Sequence, residues 1–285
     1  SSADLLPDDD QISLYDVFDI AVGSGGARWV SSPGLVLDDL VTPNETFAGA
    51  ARDLSRIVIT AAVVGIERLY ERVGNVYRPV SVIDGQLATD TTNVAAMPWT
   101  WSGTHPQPTY GYALPRGGAN AVSRDGTRIF FRRGNFPGDG PLYVRQSGAV
   151  TIPVSASERA GEQGQVRNAT FIGATPDGAI VFFVSDAQLT DDAAPGGGIY
   201  RRNLEAGPGE RALELLTPDP GGATAGVTTA IASEDGSHVY FVATAALTPG
   251  ATAGQRNAYV WSEAGGTRFI GMLGSDGEVA RVSRN

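Results

Sequence analysis

The chain has 285 residues, of which 31 are acidic and 21 basic, and its formal net charge is −10. This charge argues against binding to nucleic acid and disfavours binding to an anionic membrane surface, because both need a basic face. The absence of cysteine excludes disulfides and thiolate chemistry, and because every basic residue is an arginine, chemistry that depends on a lysine amine is also excluded. With 42% apolar residues, 37 Gly and 17 Pro, the composition predicts a packed core with many turns, and no run of residues is long enough to span a bilayer.

The N-terminal stretch SSADLLPDDDQISLYD aligns with the later stretch SDAQLTDDAAPGGGIYR, which places Tyr15 on Tyr200. We therefore expect residues 1–32 to form part of a repeated unit, with a third strand near Tyr15 and a fourth strand at 28–30. The first ten residues lack the basic and apolar regions of a signal peptide. They fit either a mature end left by processing or a cut within a longer protein.

From residue 47 onward, one pattern of short apolar runs and turns recurs. Three copies share Asp-Gly between two apolar runs: AVSRDGTRIFF, GATPDGAIVFF and AIASEDGSHVYF. A fourth, GAARDLSRIVI, has Leu54 in place of the glycine. Asp-Gly in this setting predicts a hairpin with a type I′ turn, in which both central residues have positive φ. Because they are identically placed, the aspartates (Asp53, Asp125, Asp177 and Asp235) are interpreted as turn formers rather than as catalytic groups.

Each hairpin is followed by a polar loop, a strand that opens with an aliphatic residue and a tyrosine, a glycine-containing turn and a fourth strand. A unit of four strands that repeats in this way predicts the blades of a β-propeller. The predicted fold is therefore all-β, a propeller of four-stranded antiparallel blades with about four complete blades and one split or partial blade. The predicted segments are a partial blade at 1–32, blades at 47–82, 119–154, 170–217 and 229–272, and the first strand of a further blade at 278–285. A sandwich of two sheets is the alternative fold.

The pattern Ser-x-Asp-Gly, an apolar strand ending in Phe-Phe or Tyr-Phe, and a strand opening with an aliphatic-Tyr pair resembles the WD-repeat-like propeller repeat of TolB-type proteins. It is especially similar to the extended variant of large extracellular actinobacterial proteins, which has longer loops after the second strand. The resemblance covers most of the chain outside residues 83–118. It implies the propeller fold and a secreted or cell-surface location, with a periplasmic location as the alternative, and it leaves the function open.

The longest departure from the repeat is the predicted insertion at 83–118, which is rich in aromatic residues, proline and glycine. Aromatic side chains on a loop held by a rigid scaffold are suited to stacking on sugars or on peptide side chains. The alternative interpretation is that these rings bind no ligand and instead cover the loop's own small core or the end of a blade. The candidate ligand-binding residues are Trp99, Trp101, His105, Tyr110 and Tyr112.

Other clusters of polar residues give weaker signals. Adjacent carboxylates can hold Ca²⁺, but the two acidic stretches lack the alternating spacing of a calcium loop, so a solvated acidic loop is the competing interpretation. The candidate metal ligands are Asp8, Asp9, Asp10, Asp191 and Asp192. No other cofactor is expected, and two histidines are too few for a multi-histidine zinc site. The pairs Arg132-Arg133 and Arg201-Arg202 are expected to pair with carboxylates.

These observations favour a non-catalytic extracellular propeller that acts as a recognition or structural module, with a protein or a glycan at the cell surface as its partner. No catalytic residue is predicted, and no G-x-S-x-G nucleophile motif is present. One alternative is a propeller enzyme, either a glycan hydrolase or lyase or a propeller attached to a hydrolase. Another is a subunit of an extracellular assembly, in which flanking sequence or a second copy completes the unfinished blade.

Overall fold

The computed structural model of the chain describes residues 45–63, 66–74, 76–95, 119–134 and 140–274, together with four short strands before residue 45. Every helix or strand in this part of the chain is a β-strand. The described residues accordingly include no helix that could cross a membrane. The early strands form two hairpins, β1 (Phe18–Ile20) with β2 (Ala27–Trp29) and β3 (Val36–Leu37) with β4 (Leu40–Val41).

Four antiparallel units of four strands follow, and we call them the first to fourth described blades. The first comprises β5 (Glu45–Ala50), β6 (Arg56–Val63), β7 (Ile66–Val73) and β8 (Val76–Pro79). A hairpin of β9 (Val82–Ile83) and β10 (Gln86–Leu87) leads to the second, which comprises β11 (Thr92–Val94), β12 (Arg128–Arg133), β13 (Gly140–Gln146) and β14 (Val150–Pro153). The third comprises β15 (Asn168–Ala174), β16 (Ile180–Ser185), β17 (Gly198–Asn203) and β18 (Leu213–Leu215). The start of β13 also pairs with the start of β15, which joins the second and third blades into one eight-stranded sheet. The fourth comprises β19 (Val227–Ala232), β20 (His238–Ala243), β21 (Asn257–Ser262) and β22 (Gly266–Met272).

The first strands of consecutive blades lie close together on the inner side of the array. A Cβ atom on Gly173 of β15 would lie 2.7 Å from Cβ of Ala232 in β19, and one on Gly49 of β5 would lie 2.8 Å from Val122 in the second blade. The fourth strands form the outer rim, where β22 alternates between exposed and half-buried residues. Blades whose inner strands converge while their outer strands reach solvent have the radial arrangement of a propeller.

The cores lie between blades and are built on the second and third strands of the repeat. A phenylalanine on the second strand stacks on the tyrosine directly opposite it on the third, with ring centroids 5.6 Å apart for Phe131 and Tyr143 and 5.2 Å apart for Phe241 and Tyr259. Such pairs stabilise a sheet beyond the apolar area that they bury. The predicted Phe-Phe and aliphatic-Tyr signals thus correspond to one cross-strand aromatic pair in each of the last three described blades.

The predicted type I′ geometry of the repeat turns is wrong. In the three Asp-Gly repeats only the glycine has positive φ, at 70° for Gly126, 70° for Gly178 and 74° for Gly236. The N–H of each glycine donates to the carbonyl of the Ser or Thr three residues earlier, so the turn spans four residues instead of two. Leu54 occupies the glycine position of the first described blade with a φ of 57°. Both central residues have positive φ in the β9–β10 hairpin, at Asp84 and Gly85, and in the turn between β13 and β14, at Ser147 and Gly148.

The structure also divides residues 83–118 differently from the predicted insertion. Residues 83–95 contain the β9–β10 hairpin and β11, which pairs with the end of β12 through Val94 and Phe131. The same edge of β12 is continued by Val122, which bridges to Ile129. The inner strand of the second blade is therefore made of two pieces. The sequence places the first piece in the predicted insertion because residues 92–94 lack the apolar pattern of the other first strands. Residues 96–118 lie outside the described residues, as do 278–285 and most of 1–32.

Candidate functional site

The four repeat turns, of which three carry Asp-Gly and the first carries Asp53-Leu54, lie at one end of the blades, which we call the turn face. In each of the Asp-Gly turns, the aspartate Oδ1 accepts a hydrogen bond from the Ser or Thr hydroxyl two residues earlier, at 2.6 Å for Asp125, Asp177 and Asp235. It also accepts one from the backbone N–H two residues later, at 3.0 Å in all three. The hydroxyl in turn accepts the first N–H of the second strand. The interpretation of these aspartates as turn formers is confirmed.

These contacts hold the turn aspartates in the charged form. Hydrogen bonds from Ser233 and Ser237 lower the pKa of Asp235 to about 2, and the Thr175 hydroxyl and the Ala179 N–H lower the pKa of Asp177. Hydrogen bonds from Ser55 likewise lower the pKa of Asp53. A carboxyl with so low a pKa carries no proton near neutral pH, so it cannot serve as a general acid there.

The turns of neighbouring blades are joined at the inner edge of the turn face. The Arg52 N–H donates to the Arg124 carbonyl at 2.8 Å, and the Arg124 N–H donates to the Pro176 carbonyl at 2.8 Å. Proline has no N–H with which to continue this series. The Glu234 carbonyl instead accepts a bond of 3.0 Å from the Asn120 side-chain amide, which also donates to Ala174 at 2.7 Å. Arg124 adds an ion pair with Glu234, so three blades meet at this point.

The turns of the first and second blades enclose an open depression of about 560 Å³, lined by Arg52, Asp53, Arg124 and Asp125. We call these four residues together with Asn120 and Glu234 the axial surface. It presents guanidinium, carboxylate and amide groups close to one another. Both arginines and both aspartates are exposed, so the surface is accessible to a ligand.

The two ends of the aromatic-rich segment are attached beside the axial surface. Before the segment, the Ala95 N–H donates to the Phe130 carbonyl. After it, the Ala119 carbonyl accepts from the Ala174 N–H of the third blade, and the Ala121 carbonyl accepts from the Phe130 N–H. Asn120, next to Ala119, has a φ of 63° and reaches two neighbouring blades. The scaffold thus fixes the entry and the exit of residues 96–118 at its inner edge.

The residues predicted to bind a ligand, Trp99, Trp101, His105, Tyr110 and Tyr112, lie outside the described residues, as do the candidate metal ligands Asp8, Asp9 and Asp10. Of the remaining candidates, Asp191 accepts a bond from the Ala160 N–H and Asp192 pairs with Arg211 at 3.0 Å. No three metal-ligating side chains come together within the part of the chain that the structure describes. The calcium site stays a prediction that depends on ligands from outside that part.

The predicted pairing of the strand-end arginines with carboxylates is confirmed for three of the four. Arg133 bonds both oxygens of Asp90 at 2.7 and 2.9 Å, and Arg201 pairs with Glu214 at 3.2 Å. Arg202 is buried, pairs with Glu158 at 2.9 Å and donates to backbone carbonyls of the preceding blade. Its role is to join two blades, which removes it from the set of groups available to a ligand.

The loop after the second strand is held by the repeat tyrosine in the third and fourth blades. The Tyr200 hydroxyl donates to the Ala187 carbonyl at 2.8 Å and accepts from the Leu189 N–H at 3.1 Å. Tyr259 makes the same two contacts with Ala245 and Leu247, at 2.7 and 3.1 Å. Burial raises the pKa of Tyr200 to about 12. In the sequence these two hydroxyl contacts are marked by an Ala-x-Leu triplet about a dozen residues before the tyrosine. The sequence analysis did not single out this triplet.

The opposite face, at the other end of the blades, carries a groove of about 450 Å³ in the third blade. It lies where β15 begins and β16 ends, and its polar lining includes Arg167, Asn168, Ser185 and Asp186. The Ser185 hydroxyl donates to the Asn168 carbonyl at 2.6 Å and so fixes the two strand ends to each other. No sequence motif pointed to this groove, because its residues meet only through strand pairing.

No family model matches the chain, and no curated protein matches it significantly. Among solved structures, TolB from Acinetobacter baumannii is 14% identical with a TM-score of 0.38, over 89% of this chain and 48% of that one. A TolB structure from Agrobacterium tumefaciens is 15% identical with a TM-score of 0.39, over 90% and 74%. A prolyl endopeptidase structure is 16% identical with a TM-score of 0.44, over 80% and 29%. The chain spans about half the length of the first of these proteins. Its own four-stranded antiparallel blades and convergent first strands define an all-β protein with a propeller fold.

Proposed function

We propose that this protein is a non-catalytic recognition module at the cell surface, whose partner is a glycan or a protein bound next to the axial surface. The observation that supports this most directly is the placement of the two ends of segment 96–118. Ala95 and Ala119 are both held by backbone hydrogen bonds on the inner strand, beside exposed arginine and aspartate side chains. A rigid scaffold that holds both ends of a long inserted segment at its inner edge is suited to carrying a recognition surface.

The chemistry of segment 96–118 determines the class of partner. Trp99, Trp101, Tyr110 and Tyr112 offer flat apolar faces with a polar edge, which suit stacking on sugar rings or on peptide side chains. His105 adds a hydrogen-bonding group, and the axial surface adds guanidinium and carboxylate groups within the same region. The net charge of −10 disfavours polyanions as partners.

The described polar groups favour recognition over catalysis because they are engaged in holding the fold. The repeat aspartates stabilise turns, Arg202 and Arg128 join blades, and the ring nitrogen Nδ1 of His238 lies 2.7 Å from the Ser237 hydroxyl. A catalytic centre needs groups in distinct environments with matched pKa values. The repeat aspartates share one environment and one direction of pKa shift.

The experiment compares the wild-type chain with a variant carrying both Trp99→Ala and Trp101→Ala. The probes are a panel of soluble cell-wall oligosaccharides and an array of synthetic peptides, with binding followed by calorimetry and product formation by chromatography. The matched control is Trp261→Phe, which changes a tryptophan buried between the third and fourth blades, 6.0 Å from the ring of Phe182.

We expect at least one probe to bind saturably to the wild type and to the Trp261→Phe control, and binding to fall about tenfold or more in the double variant, since stacking contributes roughly 1–3 kcal/mol per ring. Equal binding by the double variant, or the absence of binding by every probe, would remove the ligand role of the segment. Conversion of a probe to product would replace recognition with catalysis.

A further inference from the structure

The described part of the chain contains four Asp-Gly steps, and one of them differs from the others in its environment. Three belong to the repeat turns, and the fourth, Asp84-Gly85, forms the two-residue turn of the β9–β10 hairpin. Asp-Gly is the dipeptide most prone to spontaneous isomerisation, because glycine leaves its own backbone nitrogen unhindered for attack on the aspartate side chain. The geometry of each turn decides whether that attack can take place.

In the repeat turns both reacting atoms are held in hydrogen bonds. The nucleophile, the glycine N–H, donates to a backbone carbonyl at 2.8 Å in Gly126, 2.8 Å in Gly178 and 3.0 Å in Gly236. The electrophile, the aspartate carboxylate, accepts from a hydroxyl and from a backbone N–H beyond the glycine, so these two bonds must break before it can turn toward the glycine nitrogen. The carboxylate is also held ionised, and an ionised carboxylate is a poor acceptor for a nucleophile.

Neither restraint exists at Asp84-Gly85. Both residues are exposed, and within the described residues no hydrogen bond reaches the Asp84 carboxylate or the Gly85 N–H. A Cβ on Gly85 would have no atom within 4 Å, so the turn projects into open space. The hairpin is short, with Ile83 paired to Gln86 and Val82 to Leu87, and its base is anchored by the buried Ile83 while Asp84 and Gly85 remain at its exposed tip.

We propose that Asp84 is a site of spontaneous isoaspartate formation in the folded protein. The Gly85 nitrogen attacks Cγ of Asp84, a C–N bond forms, and a carboxyl oxygen leaves as water, giving a five-membered succinimide. Water then adds to one of the two ring carbonyls and breaks one C–N bond, which returns aspartate or yields isoaspartate. No oxidant or other reactant is consumed. The product carries one extra methylene in the backbone of a two-residue turn.

The expected selectivity follows from the hydrogen bonds that each repeat turn must break first. Each of these bonds lowers the reactive population about fivefold, so the three that hold the Asp125-Gly126 turn give roughly a hundredfold protection. Among the four Asp-Gly steps within the described residues, isomerisation in the folded protein is therefore expected to be fastest at Asp84, ahead of Asp125, Asp177 and Asp235. In the unfolded chain the four steps share one chemistry and should react at similar rates.

The test incubates the whole chain in H₂¹⁸O at neutral pH, because each cycle of ring opening places one heavy oxygen in the residue concerned. Peptide mass spectrometry then locates the label, and a methyltransferase with S-adenosylmethionine counts isoaspartate. The matched variants are Asp84→Glu, which keeps the charge but would need a six-membered ring, and Ser123→Ala, which removes one bond to Asp125. A parallel incubation in urea reports the unfolded rates.

We expect label at residue 84 in the wild type, its loss in Asp84→Glu, and a faster reaction at Asp125 in Ser123→Ala. Equal labelling of all four sites in the folded protein would overturn the proposal. So would a preference for Asp84 that persists in urea, since the cause would then be local sequence and not the fold.

Discussion

Substitution of Gly126 by alanine tests whether the turn glycine is required by the contact between blades or only by its backbone conformation. Gly126 has a φ of 70°, and an added Cβ would lie 2.7 Å from Cδ and 2.9 Å from Cβ of Arg56 in the preceding blade. Gly85 has nearly the same conformation, with a φ of 75°, but faces open space. The two glycines therefore separate the conformational cost from the steric cost.

For Gly85→Ala we expect a loss of about 1 kcal/mol in the free energy of unfolding, which is the cost of a left-handed conformation for an L-residue. For Gly126→Ala the same cost applies, and the overpacking against Arg56 adds roughly 1–3 kcal/mol. The total for Gly126→Ala is about 2–4 kcal/mol. In both variants the melting temperature should fall by roughly 2–4 °C for each kcal/mol of stability that is lost.

The assay is urea unfolding of both variants followed by tryptophan fluorescence, with thermal melting by circular dichroism as the second measurement. Trp261 lies between two blades and reports their separation. If the two variants lost the same stability to within about 0.5 kcal/mol, Gly126 would not be in tight contact with Arg56, and the explanation of the repeat glycine by blade packing would be refuted.

Three further predictions concern the repeat. Leu54→Gly should raise the free energy of unfolding by about 0.5–1 kcal/mol, because Leu54 is 42% exposed and holds a φ of 57° that glycine adopts without strain; a loss of stability in urea unfolding would contradict this. The pKa of Asp235 is about 2 in the folded state and lies below its unfolded value near 3.9. The stability that Asp235 contributes is therefore present above about pH 4 and is lost as the pH falls toward 2. Asp235→Asn should flatten that part of the curve of unfolding free energy against pH, and an unchanged curve would disprove the linkage. Tyr200→Phe should cost roughly 1–3 kcal/mol, since it leaves the Ala187 carbonyl and the Leu189 N–H without the hydroxyl that pairs them. Tyr259→Phe should cost no more, because the Ala245 carbonyl keeps a bond of 3.4 Å from the Asn257 amide and only the Leu247 N–H loses its partner. Tyr240→Phe should change stability by less than about 0.5 kcal/mol, and equal effects of all three in thermal melts would show that the hydroxyl contacts contribute nothing.

The second strands of the repeat were predictable because their apolar runs are marked on one side by the Asp-Gly turn. The runs at Ile129, Val181 and Val239 all lie in strands whose residues are largely buried, and local sequence was sufficient to find them. The inner strand of the second blade was not found in full. Its two pieces, at 92–94 and 121–123, are separated by more than twenty residues, and only their pairing with the same edge of β12 joins them.

The turn geometry shows a second limit of local pattern. Asp84-Gly85 and Asp125-Gly126 are the same dipeptide, yet only the first has positive φ at both residues. Ser123 offers a hydroxyl that bonds Asp125 and the N–H of Arg128, whereas Val82 offers none. The hydroxyl is not required for the longer turn, because Ala51 stands in its place before Asp53 and the Leu54 N–H still donates to the Ala51 carbonyl at 3.1 Å. The dipeptide by itself therefore does not set the geometry of the turn.

The candidate site divides in the same way. Segment 96–118 was recognisable from its composition alone, because tryptophan, tyrosine and proline interrupt a repeat that is otherwise regular. The axial surface was not recognisable, since Arg52, Asn120 and Glu234 belong to three different blades and come together only where the inner strands converge. The groove at Asn168 and Ser185 depends likewise on the pairing of two strands.

The sequence by itself determined the repeated four-strand unit, its turns and its aromatic pairs, because each depends on residues that are neighbours along the chain or one hairpin apart. Tertiary structure decided which blades touch, where the aromatic-rich segment is attached, and which of several identical dipeptides is protected. Those outcomes depend on contacts between residues tens of positions apart, and such contacts have no local signature in the order of the amino acids.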